Sequence, residues 1–435
     1  MIDERQTMYK PLVPYGPVRL LGAYPQRQEG FFMQRIPFLG GRITPTQLRR
    51  IVELAEEFTG GTPLHITTRQ DIELHNIAEA DVAGVQAALA EIGISTFGAC
   101  GDFVRNITVC PCCGFDPEAV EMTPLAEQVR DAVLSAAGTL DLPRKFKISF
   151  TGCGGTGARP YLQDLGFAAQ SPESIRVIGA GSLGPRPQPG IVLYESIRPE
   201  EAAPLVFAAL EVFAEHGDRE NRRTARLRHI RQRMGNVPFK ALLNDAFERH
   251  KARLPQKPVP LSFGQAGYQK RLTLQTLGGD ITCKQAMMLA NLADGQTVQM
   301  RINLWHGIDL YSRVPFNLPP SLHPLTHRPR IVACPGNSTC TRGLADCRAA
   351  AEVMAETLAQ RGKTDLTVGI SGCPNNCALS VVCDVGLVGR VKTMDGVRQE
   401  AFDVYTGGGS GGDERLAQRK DTVAAADLKN YFAQS

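Results

Sequence analysis

An internal repeat constrains the fold of most of the chain. GGRIT at 40–44 returns as GGDIT at 278–282, and each copy follows a strand-like run of apolar and β-branched residues. The runs are FFMQRIPFL before the first copy and KRLTLQTL before the second. Elements repeated in the same order indicate a duplicated supersecondary unit rather than a chance similarity.

The same helix signal follows each copy of the repeat. Thr44 with Gln47, and Thr282 with Gln285, have the Thr-x-x-Gln spacing of a capping box. In that motif the side chain of each residue satisfies a backbone N–H group of the other. Apolar residues then recur at helical spacing in both copies, which predicts one amphipathic helix after each repeat.

Further landmarks extend the duplication along both halves. A second strand is predicted after each helix, over 64–74 and 298–304. RNITVCPCCG from Arg105 then corresponds to RIVACPGN from Arg330, and FKISFTGC corresponds to LTVGISGC. The sequence therefore predicts an α+β protein with a pseudo-twofold duplication, each half a small βαβ lobe followed by a larger α/β lobe. We expect a shared ligand between the halves.

The predicted lobes and their connection divide the chain into five segments. The segments are 1–97 with the first half-lobe, 98–220 with the first α/β lobe, 221–260 as a helical linker, 261–325 with the second half-lobe, and 326–435 with the second α/β lobe. The linker is rich in arginine. Its Leu227 and Ile230 at helical spacing favour an amphipathic packing helix over an RNA-binding segment.

Composition narrows the possible classes of function. The 435 residues carry a net charge of only +4, which requires no nucleic-acid partner. No apolar run reaches the roughly 20 residues that span a bilayer, and the start lacks the apolar core of a secretory signal. We therefore expect a cytoplasmic protein without a membrane or nucleic-acid partner. In that compartment 12 cysteines point to a metal or cluster rather than to disulfides.

Four cysteines of the second half form two close pairs. Cys334 and Cys340 in CPGNSTC, and Cys373 and Cys377 in CPNNC, each follow a strand-like run. Loops at adjacent strand ends would let four thiolates share one metal centre. Buried inert thiols are one alternative, although polar loops are poor places to bury them. Zinc is another, but Cys-x5-Cys is wide for a structural zinc site, whereas a four-iron cluster tolerates it.

These pairs and four further motifs resemble the sirohaem and 4Fe-4S sulfite/nitrite reductase family. The motifs are TTRQDIELH at 67–75, VRN at 104–106, LPRKFKI at 142–148 and FDVYTGG at 402–408. The resemblance implies ferredoxin-like half-lobes, a sirohaem between the halves, and a 4Fe-4S cluster ligated by Cys334, Cys340, Cys373 and Cys377. It further implies that Cys377 bridges to the sirohaem iron and that the macrocycle is contacted by Thr67, Arg69 and Asn375.

Four cations are candidates for holding a small anionic substrate. Lys145 and Lys147 lie two residues apart on a strand-like segment, so their side chains share one face beside the apolar Phe146. Two like charges held together are costly without an anion to receive them. The family resemblance implies that Arg35, Arg105, Lys145 and Lys147 form the catalytic, substrate-binding set.

Glu73 departs from the family pattern, in which glutamine is commoner at the matching position. An ionised carboxylate would repel a cofactor that carries many carboxylates of its own. Three arrangements avoid this repulsion: a side chain that turns away, a protonated carboxyl group, or contact with a cation. Of these we expect the Glu73 side chain to turn toward a neighbouring cation.

Four first-half cysteines, Cys110, Cys112, Cys113 and Cys153, match the cluster region of the second half. One hypothesis is a second cluster or a redox-active thiol group. CPCC is too short to reproduce Cys-x5-Cys, and no cysteine follows Cys153 at the second-half spacing. We therefore favour small buried residues that pack as a remnant of the duplication. Cys347 lies on a predicted helix and is expected to pack that helix against the core.

The residues and the resemblance together predict a reductase that converts sulfite to sulfide, or nitrite to ammonia, by six electrons, with sulfite favoured. No NAD or flavin module is recognisable, so a ferredoxin or a flavoprotein subunit must donate the electrons. Two alternatives stay open: an enzyme of the same fold that modifies corrin precursors, and a non-catalytic electron-transfer subunit. LPRKFKI argues against the first, because a tetrapyrrole substrate has no evident use for the small-anion set.

Overall fold

The computed structural model describes residues 16–154, 157–254, 257–268, 270–295, 297–394, 396–409 and 415–434. The strands in chain order are β1 (Ala23–Pro25), β2 (Phe31–Pro37), β3 (Arg42–Ile43), β4 (Leu64–Ile66), β5 (Asp71–Ala78), β6 (Thr108–Val109), β7 (Ile148–Thr151), β8 (Leu165–Ser171), β9 (Ser174–Gly179), β10 (Ile191–Ile197), β11 (Lys270–Gln275), β12 (Asp280–Ile281), β13 (Val298–Ile302), β14 (Gly307–Ser312), β15 (Arg330–Ala333), β16 (Thr367–Ser371), β17 (Val385–Met394), β18 (Val397–Thr406) and β19 (Gln418–Ala424).

The helices complete an α+β fold, the class that the sequence predicts. They are α1 (Gly16–Leu20), α2 (Pro45–Thr59), α3 (Val82–Glu91), α4 (Thr123–Ser135), α5 (Ala202–His216), α6 (Leu227–Met234), α7 (Asn236–Arg253), α8 (Cys283–Ala293), α9 (Cys347–Gln360) and α10 (Leu428–Gln434). Within the described ranges, none of these helices has the length and apolar character needed to cross a membrane.

The chain forms two compact units. Unit 1 comprises the described residues within 1–23, 96–182 and 188–266, and unit 2 comprises those within 24–95, 183–187 and 267–435. The segments predicted as the two half-lobes both contribute to unit 2, and the described residues of the predicted linker all belong to unit 1. The five predicted segments themselves stay a prediction.

Unit 1 is built on a five-stranded sheet in the order β10-β9-β8-β7-β6. β6, β7 and β8 run parallel, whereas β9 and β10 are antiparallel. The buried rings of Phe150 and Phe167 stack on neighbouring strands with centroids 4.7 Å apart. Leu227 and Ile230 of α6 are buried, so the predicted amphipathic packing helix is confirmed.

Unit 2 contains a sheet of the same design. Its order is β15-β16-β17-β18-β19, with β15, β16 and β17 parallel and the last two strands antiparallel. Helix α9 packs on β15 and β16, and Cys347 at its start is buried in the shared core, as predicted. The two units therefore share one strand order and one pattern of strand directions, as a duplication requires.

Both predicted capping boxes are formed. In α2, the Gln47 N–H donates to Thr44 Oγ1 at 3.2 Å, and the Thr44 N–H donates to Gln47 Oε1 at 3.1 Å. Thr282 and Gln285 repeat this exchange at the start of α8, with both distances 3.2 Å. Helix α2 ends at Gly60, whose φ of 63° is favourable for glycine because no Cβ opposes it.

Each copy of the repeated GG-x-I-T segment forms a short strand that joins a sheet of the other half-lobe of unit 2. β3 of the first copy pairs with β13 of the second, and β12 of the second copy pairs with β4 of the first. Each of two sheets, β1-β2-β5-β4-β12 and β11-β14-β13-β3, is completed by the other copy. Gly41 permits this approach, because it has a φ of 71° and a Cβ there would lie 2.1 Å from the Ile302 carbonyl oxygen.

The prediction of a single strand over 64–74 is wrong, because this segment forms a hairpin of β4 and the start of β5. The Thr67 hydroxyl accepts hydrogen bonds from the N–H groups of Arg69 and Asp71, each at 3.1 Å, and Gln70 has a φ of 62°. Such local hydrogen bonds compete with the strand ladder and reverse the chain. Hydropathy does not mark this turn, since β4 and the start of β5 are buried on both faces.

The capping box of α2 can be tested by removing its hydroxyl. We expect Thr44→Ala to lower the free energy of unfolding by about 1 kcal/mol, because the Gln47 N–H loses its partner. Urea denaturation measures this loss. Thr46→Ala, an exposed threonine in the same turn of α2, is the matched control and should change stability by less than about 0.5 kcal/mol. Equal losses in the two variants would contradict the capping role.

Candidate metal centre and anion-binding residues

Unit 2 brings the four paired cysteines to one edge of its large sheet. β15 and β16 are parallel neighbours, with Ala333 opposite Ile370, so the loops that follow them start side by side. Cys334 comes directly after β15, and its N–H donates to the Ile370 carbonyl at 3.0 Å. Cys373 comes two residues after the end of β16. The predicted placement of both pairs on loops at adjacent strand ends is confirmed.

The four sulfurs suit a multi-iron cluster better than a single ion. Cys334 and Cys373 are half-buried, Cys340 and Cys377 are exposed, and all four are free thiols. No three of these sulfurs lie within 4.8 Å of one another, whereas one tetrahedral zinc ion needs its ligand sulfurs about 3.8 Å apart. A four-iron cluster spreads its ligands more widely. The donor set therefore fits the predicted cluster, while its assignment to these four residues stays a prediction.

Hydrogen bonds to the sulfurs favour the thiolate of Cys334, whereas burial outweighs them at Cys340 and Cys373 and raises the pKa of both thiols. The Gly372 N–H donates to Cys334 Sγ at 3.1 Å, and the Arg342 N–H donates to Cys340 Sγ at 3.4 Å. The Cys347 sulfur lies 3.9 Å from that of Cys334. Its thiol hydrogen bond, with help from Gly372, outweighs burial and lowers the pKa of Cys334 to about 6. Cys334 is therefore ready to act as a metal ligand.

The TTRQ turn lies against the loop that carries Cys377. The Thr68 hydroxyl donates to the Cys377 carbonyl at 3.2 Å. Unit 2 thus brings Thr67 and Arg69 of the turn beside the loop of Asn375 and Cys377, which are the four predicted cofactor-binding residues. Their contacts with the cofactor stay predictions.

Arg35 lies opposite Glu73 in the β2–β5 pair. Its Nη2 and Nε atoms are 2.6 Å and 3.0 Å from Glu73 Oε1, and Asp71 Oδ2 is 3.7 Å from Nε. Burial by itself raises the pKa of Glu73, but the Arg35 charge and a hydrogen bond with His75 hold that pKa well below its ordinary value. The expectation that Glu73 turns toward a cation is confirmed. The substrate role of Arg35 stays a prediction.

The sequence did not indicate a partly buried charge network at the exchanged strand β12. His65 Nδ1 is 2.7 Å from Asp280 Oδ1, and Arg348 Nε is 2.9 Å from Asp280 Oδ2. The ring of His306 meets that of His65 edge to face at 5.3 Å. The one available signal was a break in the repeat, since GGDIT has Asp280 where GGRIT has Arg42.

Lys145 and Lys147 of unit 1 share one face of an extended segment, as predicted. Both are half-buried, and they alternate with the fully buried Phe146 and Ile148. The Lys147 N–H donates to the Asp164 carboxylate at 2.8 Å, which anchors the backbone between the two lysines and β7. The sheet therefore fixes the direction in which the side chains of Lys145 and Lys147 extend from the backbone.

Arg105 lies on the neighbouring extended segment of unit 1. Val104 and Phe146 form a parallel bridge, and the Arg105 N–H donates to the Phe146 carbonyl at 2.8 Å. The Arg105 guanidinium donates to the carbonyls of Ala99 and Gly101 at 2.7 Å and 2.6 Å. Three of the four predicted anion-binding cations are therefore held on two adjacent segments of one unit, while their catalytic roles stay predictions.

The first-half cysteines converge, which the expected remnant packing did not include. The sulfurs of Cys110, Cys112 and Cys153 lie within 4.8 Å of one another, and Cys113 Sγ is 3.1 Å from Cys110 Sγ. Burial is confirmed for three of them, while Cys153 is half-buried. Hydrogen bonds from the Cys110 and Cys112 thiols outweigh burial and lower the pKa of Cys153 to about 3. The four residues thus form a second thiol group in the chain.

Comparison with known proteins identifies the family. The nitrite and sulphite reductase 4Fe-4S domain matches residues 100–251 and 328–432, and the nitrite/sulfite reductase ferredoxin-like half domain matches 24–92. The chain belongs to the nitrite and sulfite reductase family. It is accordingly an oxidoreductase, and membership implies a sirohaem and a 4Fe-4S cluster as cofactors. The predicted family, enzyme class and cofactors are confirmed.

Relatives within the nitrite and sulfite reductase family carry both names. An assimilatory ferredoxin-dependent nitrite reductase of Haloferax mediterranei is 27% identical over 91% of this chain and 77% of its own length. Sulfite reductase (ferredoxin) 1 of Mycolicibacterium paratuberculosis is 25% identical over 96% of this chain and 84% of its own. The solved Mycobacterium tuberculosis NirA protein matches 96% of this chain and 86% of its own, with a TM-score of 0.80 at 22% identity, which shows a shared fold.

The charge network around Asp280 should make the stability of the fold depend on pH. Burial lowers the pKa of His65, but the hydrogen bond and charge of Asp280 outweigh it, so the folded pKa is raised above 6.5. The pair then stabilises the fold fully below about pH 6.5 and loses this effect as the pH rises through the folded pKa. His65→Gln should therefore cost about 2 kcal/mol at about pH 5.5 and less at about pH 9.

Chemical denaturation at the two pH values, with His65→Gln compared against the wild type, isolates the His65 contribution from those of His75 and Glu73. His327→Gln is the control, because His327 is exposed in the same unit, and it should change stability by less than about 0.5 kcal/mol at either pH. A His65→Gln cost that grows with pH would contradict the assignment.

Proposed function

We propose that this enzyme reduces sulfite to sulfide by six electrons, with electrons supplied by a ferredoxin or a flavoprotein subunit. The observation that carries the proposal is the presence in one chain of a cluster-forming cysteine quartet and a cation-rich pair of extended segments. Ferredoxin-dependent relatives with both substrate names support the donor. Twelve free thiols support a reducing, cytoplasmic location.

Unit 1 supplies the groups that hold the anion. Lys145 and Lys147 lie on one face of their segment. Arg105 lies on the adjacent segment, where two backbone carbonyls accept hydrogen bonds from its guanidinium group and fix its position. Preorganised cations of this kind attract an anion and stabilise the negative charge that develops as its oxygen atoms are removed. The ammonium groups of Lys145 and Lys147 are also proton donors, and each oxygen that leaves as water needs two protons.

Unit 2 supplies the ligands for the cofactors. Cys334, Cys340, Cys373 and Cys377 would hold the cluster, and Cys377 would also hold the sirohaem. When bound, the two cofactors would supply the electrons one at a time. The Thr68 hydroxyl ties the TTRQ turn to the Cys377 carbonyl, so the turn that carries two proposed macrocycle contacts moves with the ligand loop.

Nitrite, reduced to ammonia, is the second candidate substrate. Relatives named as nitrite reductases are 27% and 28% identical to this chain. Glu73 also offsets the charge of Arg35 at 2.6 Å, and a smaller net positive charge suits a monoanion better than a dianion. Sulfite and nitrite therefore have to be compared on the same preparation.

The comparison is a steady-state assay of purified holoenzyme with chemically reduced viologen. We expect oxidation of the dye to depend on added anion, with kcat/KM higher for sulfite than for nitrite. The reverse order would assign the enzyme to nitrite. Holoenzyme with its sirohaem absorption intact, yet no oxidation with either anion, would overturn the proposal and favour an electron-transfer subunit or an enzyme of corrin precursors.

Lys145→Ala tests the proposed anion-binding role directly. We expect kcat/KM for the preferred anion to fall about 10²- to 10³-fold, because a preorganised cation is lost, while the haem absorption spectrum stays unchanged. Lys240→Ala, on an exposed face of α7 in the same unit, is the matched control and should keep wild-type kinetics. Equal activity in the two variants would contradict the role of Lys145.

A further inference from the structure

Unit 1 contains a group of thiols that the proposed function does not use. The sulfurs of Cys110, Cys112 and Cys153 lie within 4.8 Å of one another. Among the residues that the structure describes, this is the one such group of three or more potential metal ligands. Cys110 and Cys112 are buried, whereas Cys153 is half-buried and is therefore the most accessible residue of the three.

The sheet of unit 1 brings these sulfurs together. β6 and β7 are parallel neighbours, so Cys110 and Cys153 follow them at the same edge of the sheet. The Cys110 N–H donates to the Phe150 carbonyl at 3.2 Å. The chain then turns, with the Cys113 N–H donating to the Cys110 carbonyl at 3.1 Å, and this turn places Cys112 beside the other two sulfurs.

Gly157 leaves the space that the sulfurs of Cys153 and Cys110 occupy, and Gly152 leaves room for the Val120 carbonyl. A Cβ on Gly157 would lie 2.4 Å from Cys153 Sγ and 2.7 Å from Cys110 Cβ. A Cβ on Gly152 would lie 1.9 Å from the Val120 carbonyl oxygen. The Gly152 N–H also donates to Cys110 Sγ at 3.1 Å. The backbone is therefore packed closely around the thiols and directs an N–H group at one of them.

The spacing of the sulfurs fits a single ion. A tetrahedral zinc site has Zn–S distances of about 2.3 Å, which places its ligand sulfurs about 3.8 Å apart, and the three sulfurs lie within 4.8 Å of one another. A four-iron cluster is larger and spreads its ligands more widely than one ion does. Cys113 Sγ is 3.1 Å from Cys110 Sγ, but it is not in the set of sulfurs that all lie within 4.8 Å of one another. Its thiol can donate to the Val120 carbonyl at 3.3 Å.

We propose that Cys110, Cys112 and Cys153 bind one zinc ion, with a water molecule in the fourth position on the Cys153 side. Thiolates are preferred ligands of zinc, and binding releases the thiol protons to solvent. Zinc does not change oxidation state, so the site needs no electron donor. It is independent of the proposed reduction chemistry.

The ion joins the carboxyl ends of β6 and β7. The extended segments that enter these strands carry Arg105 on one side and Lys145 with Lys147 on the other. Zinc therefore fixes the pairing of the two segments that hold the proposed anion-binding cations. Its role is to position them rather than to contact the substrate.

Metal analysis of the purified holoenzyme tests this proposal. After gel filtration we expect one zinc per chain, in addition to the cofactor iron. X-ray absorption at the zinc edge, which is blind to iron, should show sulfur ligands at about 2.3 Å. Holoenzyme without zinc, or zinc bound only by nitrogen and oxygen, would overturn the proposal. Neither readout depends on turnover, so this failure is distinct from failure of the proposed function.

Serine variants assign the ligands. Cys112→Ser and Cys153→Ser should each lose most of the zinc, whereas Cys113→Ser, the matched neighbour, should retain it. Zinc retained in both ligand variants, or lost equally from Cys113→Ser, would overturn the three-residue assignment. Where a ligand variant does not fold, the zinc content and edge spectrum of the wild type decide the question.

Discussion

Both thiol sites depend on the parallel pairing of two strands that each end in a cysteine loop. The strands are β15 and β16 in unit 2, and β6 and β7 in unit 1. Parallel neighbours end at the same edge of a sheet, so residues far apart in sequence become adjacent there. Loop length then sets the spacing of the sulfurs. CPCC brings Cys110 and Cys112 within 4.8 Å of each other and of Cys153, whereas no three sulfurs of the more widely spaced unit 2 pairs form such a group.

The strand exchange within unit 2 links the repeat to the functional residues. β12 completes the sheet that contains β4 and β5, and its Asp280 contacts His65 of β4. The turn between β4 and β5 carries Thr67 and Arg69 and is tied to the Cys377 loop by Thr68. The hairpin that bears two proposed cofactor contacts is therefore held by both copies of the repeat.

The sequence predicted those features that follow local rules. Helix caps depend on residues three apart, and the position of Cys334 follows from the strand before it. The hairpin at 64–78 was not predicted, because both of its strands are largely buried and no alternation of polar residues marks the turn. The partner of a two-residue strand such as β3 is not a local property. Convergence of Cys110 with Cys153 depends on space left by Gly157, which composition does not reveal.

Acid-labile sulfide per chain tests most directly whether the two thiol groups hold different inorganic centres, as we propose. Only an iron-sulfur cluster contributes such sulfide. We predict that Cys340→Ser loses the labile sulfide of the wild type and that Cys110→Ser, if folded, keeps it. Loss of sulfide in Cys110→Ser with retention in Cys340→Ser would contradict the assignment of the cluster to unit 2.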